Sequence, residues 1–342
     1  MSAGRLKNRD ETSHSPIETA VFWQIGRAWV SLAARLTDCD SSPGGSLMIP
    51  HADRLGLTRR DVLAAGLAAT GMLVAGRPAV ARPTGATGAP EGDYGPFKMG
   101  LQSYALRGYT TLGHADLKKA LAATKELGVH YWEAFPAHVP LTVDRQKIRA
   151  VKDELEASGV HVDGWGVVGL GKDEAADRSI FEFARAMGLG YLTVDPDPDS
   201  FDLLDKLVEE YGIPIGIHNH GPGHKYALID TIARSIKDHS PKIGCCIDTG
   251  HFLRSKEDPV RAVEVFGKRV YGVHLKDVKN AETFTLLGQG DLRTVDLLKA
   301  LAANGYGHCL AIEYEEKPEN PLEDIKVCLA EARKAIAAIG PA

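Results

Sequence analysis

From Phe97 onward, short apolar runs alternate with longer stretches in which apolar residues return every three or four positions. The first pattern is that of a buried strand, the second that of a helix packed on one face. Candidate strands are Lys98–Ala105, Tyr131–Phe135, His161–Val167, Tyr191–Asp195, Ile213–His218, Ile243–Asp248, Val270–His274 and Cys309–Tyr314. Helical patterns lie between them, as in HADLKKALAATKELG, QKIRAVKDELEASG, EAADRSIFEFARAMG and FDLLDKLVEEYG, and several end in a Gly suited to a left-handed cap. Eight strand–helix pairs, repeating about every 30 residues over about 245 residues, predict an α/β fold of the (β/α)8 TIM-barrel type. An open doubly wound sheet is the rival, but no glycine-rich dinucleotide fingerprint follows the first strand.

In such a barrel the C-terminal ends of all strands meet at one face. Four of the predicted ends carry His218, Asp248, His274 and Glu313. Two imidazoles and two carboxylates suit one divalent ion of the Mn, Co, Zn or Fe type, being too nitrogen-rich for a Mg site and too hard for a soft-metal site. Two residues earlier on each strand stand Gly216, Cys246, Gly272 and Ala311, on the same inward side, where small residues leave room for the ligands to lean toward a common centre. Taken singly, each ligand has an ordinary alternative, such as Asp248 capping the turn at Thr249-Gly250.

Alternation brings His220 to the mouth above His218, where a neutral imidazole can shuttle protons. The reverse assignment, with His220 as the ligand, stays open. Lys276 stands in the same relation to His274, placed either to polarise a substrate oxygen or to pair with Asp277 or Glu315. His220, Glu313 and Lys276 are therefore the candidate catalytic residues. Glu133, His138, Trp165, Asp195 and His251 are the candidate substrate contacts, polar groups plus one indole that suit a sugar. The GQGD segment at 288–291 lacks a P-loop lysine and reads as a flexible loop rather than a phosphate cradle.

The region before the barrel reads differently. Residues 58–81 contain Arg59-Arg60, an apolar run from Val62 to Ala75, and the small-residue site Ala79-Val80-Ala81. The segment resembles a twin-arginine signal peptide and implies passage through that export machinery to the periplasm, with no stable membrane span in the mature chain. Residues 1–57 show no coherent pattern and are an N-terminal extension, disordered or, if translation starts at Met48, partly untranslated. Residues 82–96 form a Pro/Gly-rich linker to the barrel at 97–342.

The chain has 342 residues, 44% hydrophobic and 25% charged, as expected of a globular protein. Its net charge is −5, with the excess acidity concentrated after residue 81, so no broad footprint for nucleic acid is expected. Five cysteines (39, 245, 246, 309 and 328) without a CxxC read as buried thiols rather than a disulfide framework. A homo-oligomer stays open.

The segments IHNHGPGHKY (217–226), CIDTGHF (246–252), VHLKDV (273–278), GQGDLRTVDLLKAL (288–301) and AIEYE (311–315) resemble the sugar phosphate isomerase/epimerase superfamily of xylose isomerase-like TIM barrels. The resemblance spans about residues 98–340. It implies one divalent ion, often Mn or Co, held by Glu, Asp, His and Glu, of which the last three fall on Asp248, His274 and Glu313. His218 stands where Glu is common, which passes base duty to His220, Glu313 or a bound water. The HNHG form looks like an exported subgroup acting on 3-keto sugars and glycosides. The expected reaction is α-proton abstraction beside a carbonyl of a keto-sugar or keto-glycoside through an enediolate, giving isomerisation or epimerisation, or β-elimination by a lyase. The other readings are a non-catalytic sugar-binding barrel and an endonuclease IV-like phosphodiesterase, although HLKD lacks the downstream DxH pair of the latter.

Overall fold

The computed structural model describes residues 94–340. The expected extension 1–57, the twin-arginine segment 58–81, residues 82–93 of the linker and Cys39 lie outside the described residues. Eight strands form a closed barrel: β1 Lys98–Gln102, β2 Tyr131–Ala134, β3 His161–Leu170, β4 Tyr191–Pro196, β5 Ile215–His218, β6 Ile243–Asp248, β7 Val270–Leu275 and β8 Cys309–Ile312. Each pairs in parallel with the next, and β8 closes on β1 through Lys98↔Cys309. A packing helix follows each strand: α1 Leu117–Leu127, α2 Arg145–Ala157, α3 Glu174–Met187, α4 Phe201–Tyr211, α5 Ile229–Ile236, α6 Pro259–Phe266, α7 Thr294–Ala303 and α8 Leu322–Ile339, with a further short helix, Thr249–Arg254, between β6 and α6. This is the (β/α)8 barrel that the periodicity predicts.

Local chemistry sets the helix limits. Asp116, Asp144, Asp173 and Asp258 accept backbone N–H groups at the starts of α1, α2, α3 and α6, each cap stabilising by about 1 kcal/mol. Gly128, Gly188 and Gly212 end α1, α3 and α4 with φ of 69°, 82° and 69°, the left-handed cap read from the sequence. Two strand limits differ from expectation. β1 stops at Gln102 because its side chain accepts from Tyr104 N and starts a 3-10 turn, Ser103–Leu106. β3 runs on to Leu170, with a register shift against β4 between Trp165 and Val168.

Inside the barrel, the space beneath the predicted ligands is filled rather than open. The Tyr191 ring crosses it: a Cβ on Gly164 would lie 2.2 Å from Tyr191 Cζ, and one on Gly272 would meet Cys246 Sγ at 2.7 Å. The small inward residues therefore admit Tyr191 and Cys246, which is a different use from the room for leaning ligands expected of them. Cys245, Cys246, Cys309 and Cys328 are free and buried. Two short hairpins decorate the loops, Thr110–Thr111 with His114–Ala115 and Asp277–Lys279 with Thr283–Thr285. Among the described residues no helix is long and apolar enough to cross a membrane.

Candidate metal centre

Strands β5, β6, β7 and β8 are neighbours in the ring, and each delivers one side chain to a shared point. His218 and Asp248 are the last residues of β5 and β6, His274 is the penultimate residue of β7, and Glu313 directly follows β8, where its N–H still bonds Leu275 O. His218 Nε2 lies 3.2 Å from His274 Nδ1 and 3.6 Å from Asp248 Oδ2. His274 Nδ1 lies 3.2 Å from Glu313 Oε2 and 3.9 Å from Asp248 Oδ2. Ligands of a first-row ion at 2.0–2.2 Å stand about 3.0–3.6 Å apart, so these separations are close to the edges of one coordination polyhedron. All four residues are buried.

Two of the four, His274 and Asp248, are aimed by partners behind them. His274 Nε2 donates to Glu133 Oε1 at 2.9 Å, which directs Nδ1 to the centre. Glu133 is itself held by Gln102 Nε2 and by Tyr191 OH, both at 2.9 Å. Burial would raise the Glu133 carboxyl pKa, but His274 and the hydroxyls of Tyr191 and Thr193 keep it below its usual range. Asn219, which the strand turns away from the mouth, donates to Asp248 O and accepts from Asp248 N at 2.9 and 2.7 Å, clamping β5 to β6. Asp248 Oδ1 accepts from His251 N at 2.7 Å and caps the short helix Thr249–Arg254, leaving Oδ2 for the centre. The turn-capping and ligand readings of Asp248 thus coexist on its two oxygens.

The charge balance fits a cation. Glu133, Asp248 and Glu313 are buried beside one buried ammonium, Lys276, so with His274 neutral, as a metal ligand must be, the site carries an excess of two negative charges. Buried charge is retained only when compensated, and a divalent ion supplies that balance. Asp248 Oδ2, Glu313 Oε2 and His218 Nδ1 have no hydrogen-bond partner. Lys276 Nζ stands 3.0 and 2.9 Å from the first two but directs its hydrogen bond to Glu315. Burial opposes the Lys276 charge, but Asp248, Glu313 and Glu315 outweigh it and raise its pKa well above the usual value. Glu313 is desolvated yet held at about 2 by Lys276 and His274. Burial also opposes a charged His274, but Cys246, Glu133 and Glu313 raise its pKa, so a proton and a cation compete for Nδ1.

Of the two partners expected for Lys276, the structure selects Glu315. Asp277 is engaged elsewhere: its carboxylate accepts from the N–H groups of Gly288, Gly290 and Leu292 at 2.9–3.0 Å. A Cβ on Gly290 would lie 2.3 Å from Asp277 Oδ1. The GQGD segment is therefore a loop wrapped on a carboxylate, which corrects its reading as a flexible one.

The remaining candidates divide. His220 is 28% exposed, its ring 4.6 Å from that of His218, with Nε2 3.9 Å from Asp195 Oδ2. Burial, followed by the neighbouring histidines, holds its pKa well below 6.5. His224 Nε2 lies 3.3 Å from the same Asp195 oxygen, and Lys225 Nζ lies 3.0 Å from the other. His251 packs by His218 and His220, its pKa lowered by burial to about 3. Three expected substrate contacts are corrected. Glu133 is fully buried behind His274. Trp165 points outward to Phe183 of α3 and donates to Val139 O, and is 1% exposed. His138 is buried beside Trp132 and Phe135, with Nδ1 3.0 Å from Ser103 Oγ. The aromatic that does face the mouth is Phe284, on the hairpin after Lys276, 5.1 Å from Lys276 Nζ and 5.7 Å from the His251 ring. No periodic signal marks it, because the strand Thr283–Thr285 is too short to show an alternation.

The chain has relatives of known sequence and structure. The chain is 25% identical over 257 residues to an inosose dehydratase of Clostridium botulinum (strain Alaska E43 / Type E3), covering 66% of this chain and 85% of that protein. An inosose dehydratase of Geobacillus thermodenitrificans (strain NG80-2) is 30% identical over 146 residues, 36% of this chain and about half (49%) of that protein. Among solved structures, an uncharacterized protein of Parabacteroides distasonis ATCC 8503 superposes with a TM-score of 0.55 at 25% identity, covering 70% of this chain and 99% of that one. A 3-keto-D-glucoside 4-epimerase of E. coli shares the fold with a TM-score of 0.54 at 17% identity, covering 70% of this chain and 99% of that one. Residues 121–331, more than half of the chain, match the model of one family, and with the closed barrel already described they make this protein a member of the xylose isomerase-like TIM barrels.

Proposed function

We propose that the protein is a divalent-metal-dependent enzyme that removes the proton α to a carbonyl of a keto-sugar or keto-glycoside and expels a β-substituent, a lyase reaction. The observation that supports this reading is the four-residue cluster, whose buried carboxylates outnumber the buried cations around them. An ion held by His218, Asp248, His274 and Glu313 would supply Lewis acidity toward the substrate carbonyl. His220 is neutral at physiological pH and partly open at the mouth, the position and state of a base that takes the α-proton. Asp195 behind it stabilises the imidazolium that results. Lys276 stays charged and donates a hydrogen bond to the oxygen on which negative charge develops. Elimination is favoured over epimerisation by the dehydratase named as a relative across two thirds of the chain. Arg59-Arg60 and the apolar run after them support export as part of the same proposal.

Proton NMR in D2O with metal-loaded protein and a panel of ketoses and 3-keto-glycosides tests the reading. Deuterium at the α-carbon together with release of the β-substituent is the expected result. Deuterium with an inverted or moved carbonyl neighbour, and nothing released, would make it an epimerase or isomerase instead. A metal-loaded protein that binds these sugars and exchanges no carbon-bound proton defeats the proposal.

A further inference from the structure

A cavity of about 420 Å3 opens beside the metal centre, between the β5–α5 loop and the turn after the helix Thr249–Arg254. It is large enough for part of a small ligand. Its wall includes Arg254, Lys256, Ser255, Thr231, His224 and Leu228, and no carboxylate. Two of these residues join it to the mouth. The His224 ring lies 4.3 Å from that of His220, and Arg254 Nη1 lies 3.5 Å from His251 Nδ1. The Arg254 guanidinium also packs over Phe284, 5.2 Å from the ring centre, and beside Gly221, where a Cβ would meet Nη1 at 3.1 Å.

Arg254 and Lys256 in this wall have no acidic partner among the described residues, although acids are close in sequence. Asp230 and Glu257 both pair with Arg261, and Asp195 pairs with His224 and Lys225. Ser255 Oγ is buried without a hydrogen-bond partner. A half-buried guanidinium held in place by an aromatic ring, with a second cation beside it, forms a receptor for a planar or tetrahedral oxyanion. In a chain of net charge −5, an unpaired cationic recess next to the reaction site is a local reversal of the surrounding field.

We propose that this cavity is an anion-binding subsite for a carboxylate or phosphate-monoester substituent of the substrate, with Arg254 as its anchor and Lys256 completing it. The inference rests on the reading of the barrel mouth as a keto-sugar site and narrows its substrate class to anionic sugars. It makes Arg254 a determinant of specificity and leaves the reacting atoms to the residues named above.

Calorimetric titration of the metal-loaded full chain with D-glucuronate, D-glucose 6-phosphate and D-glucose tests it without any turnover. At least one anion is expected to bind about tenfold or more tightly than glucose, as a charge-assisted bidentate contact predicts. The order of the two anions tells a carboxylate from a phosphate. Arg254→Gln should bring the preference within about twofold of unity with metal content unchanged, Arg254→Lys should retain part of it, and Lys256→Gln should weaken it less. Asp248→Asn, which impairs the metal centre, should keep the preference. Equal binding of all three sugars, binding of none, or a preference that survives Arg254→Gln but vanishes in Asp248→Asn would overturn the subsite. An intact anion preference in a protein that exchanges no proton would count against the proposed reaction alone.

Discussion

The half of the barrel mouth built by β5 to β8 and the half built by β1 to β4 carry similar residue types and use them in opposite ways. On the first half, Asp248 Oδ2, Glu313 Oε2 and His218 Nδ1 are buried with no hydrogen-bond partner. On the second, Glu133 is equally buried, yet it is fully occupied by His274, Gln102 and Tyr191. Two buried glutamates, Glu133 and Glu313, therefore differ in function through satisfaction rather than burial. A saturated carboxylate positions its neighbours, while an unsatisfied one is left able to take a cation. Asp195 is the exception on the second half: it sits at the end of β4 with neither oxygen hydrogen-bonded, and it serves the mouth by flanking His220 and His224.

The most severe way to break this contrast is to remove a ligand oxygen. Asp248→Ala should lose bound metal and turnover together, with metal analysis falling from about one ion per chain to near none. An active, metal-replete Asp248→Ala protein would dissolve the distinction. The next largest effect belongs to Glu133→Gln, which keeps the shape but weakens the grip on His274 Nε2. Metal affinity should fall about 10- to 100-fold, while KM measured at saturating metal stays near the parental value. A raised KM with unchanged metal affinity would return Glu133 to the substrate contacts that its place at a strand end suggests.

The ligand half was legible because strand alternation and parallel closure are short-range facts written into each segment. IGIH, IGCCID, VYGVHL and CLAIE each show where the strand ends and which side its last residue takes. The supporting half was not legible for two reasons. Glu133 reaches His274 across the barrel, 141 residues away, a contact that exists only after closure. A strand ending at Val167 places Trp165 at the mouth, whereas β3 continues to Leu170 and shifts register between Trp165 and Val168. A register irregularity breaks the alternation on which inward and outward are decided. Asn219 had a signal in hindsight, since a polar residue between two inward histidines must find its partners on a neighbouring strand.

The smallest expected effect concerns stability on the supporting half. His138 is 2% exposed in the β2–α2 loop, and burial lowers its pKa from 6.5 to about 4, only partly opposed by Asp116 and the Leu106 carbonyl. The unfolded chain takes up this proton below about pH 6.5, whereas the folded chain resists it until about pH 4. The stabilisation is thus complete above pH 6.5 and is lost as the pH falls toward 4, by up to about 3 kcal/mol. His138→Phe removes the titration but also the contact with Ser103 Oγ, so it should be the less stable protein at pH 7.5. The difference from the parent, followed by urea unfolding, should shrink or reverse by pH 4.5. A difference that stays constant across this range would show that the ring is not shielded as its packing against Trp132 and Phe135 requires.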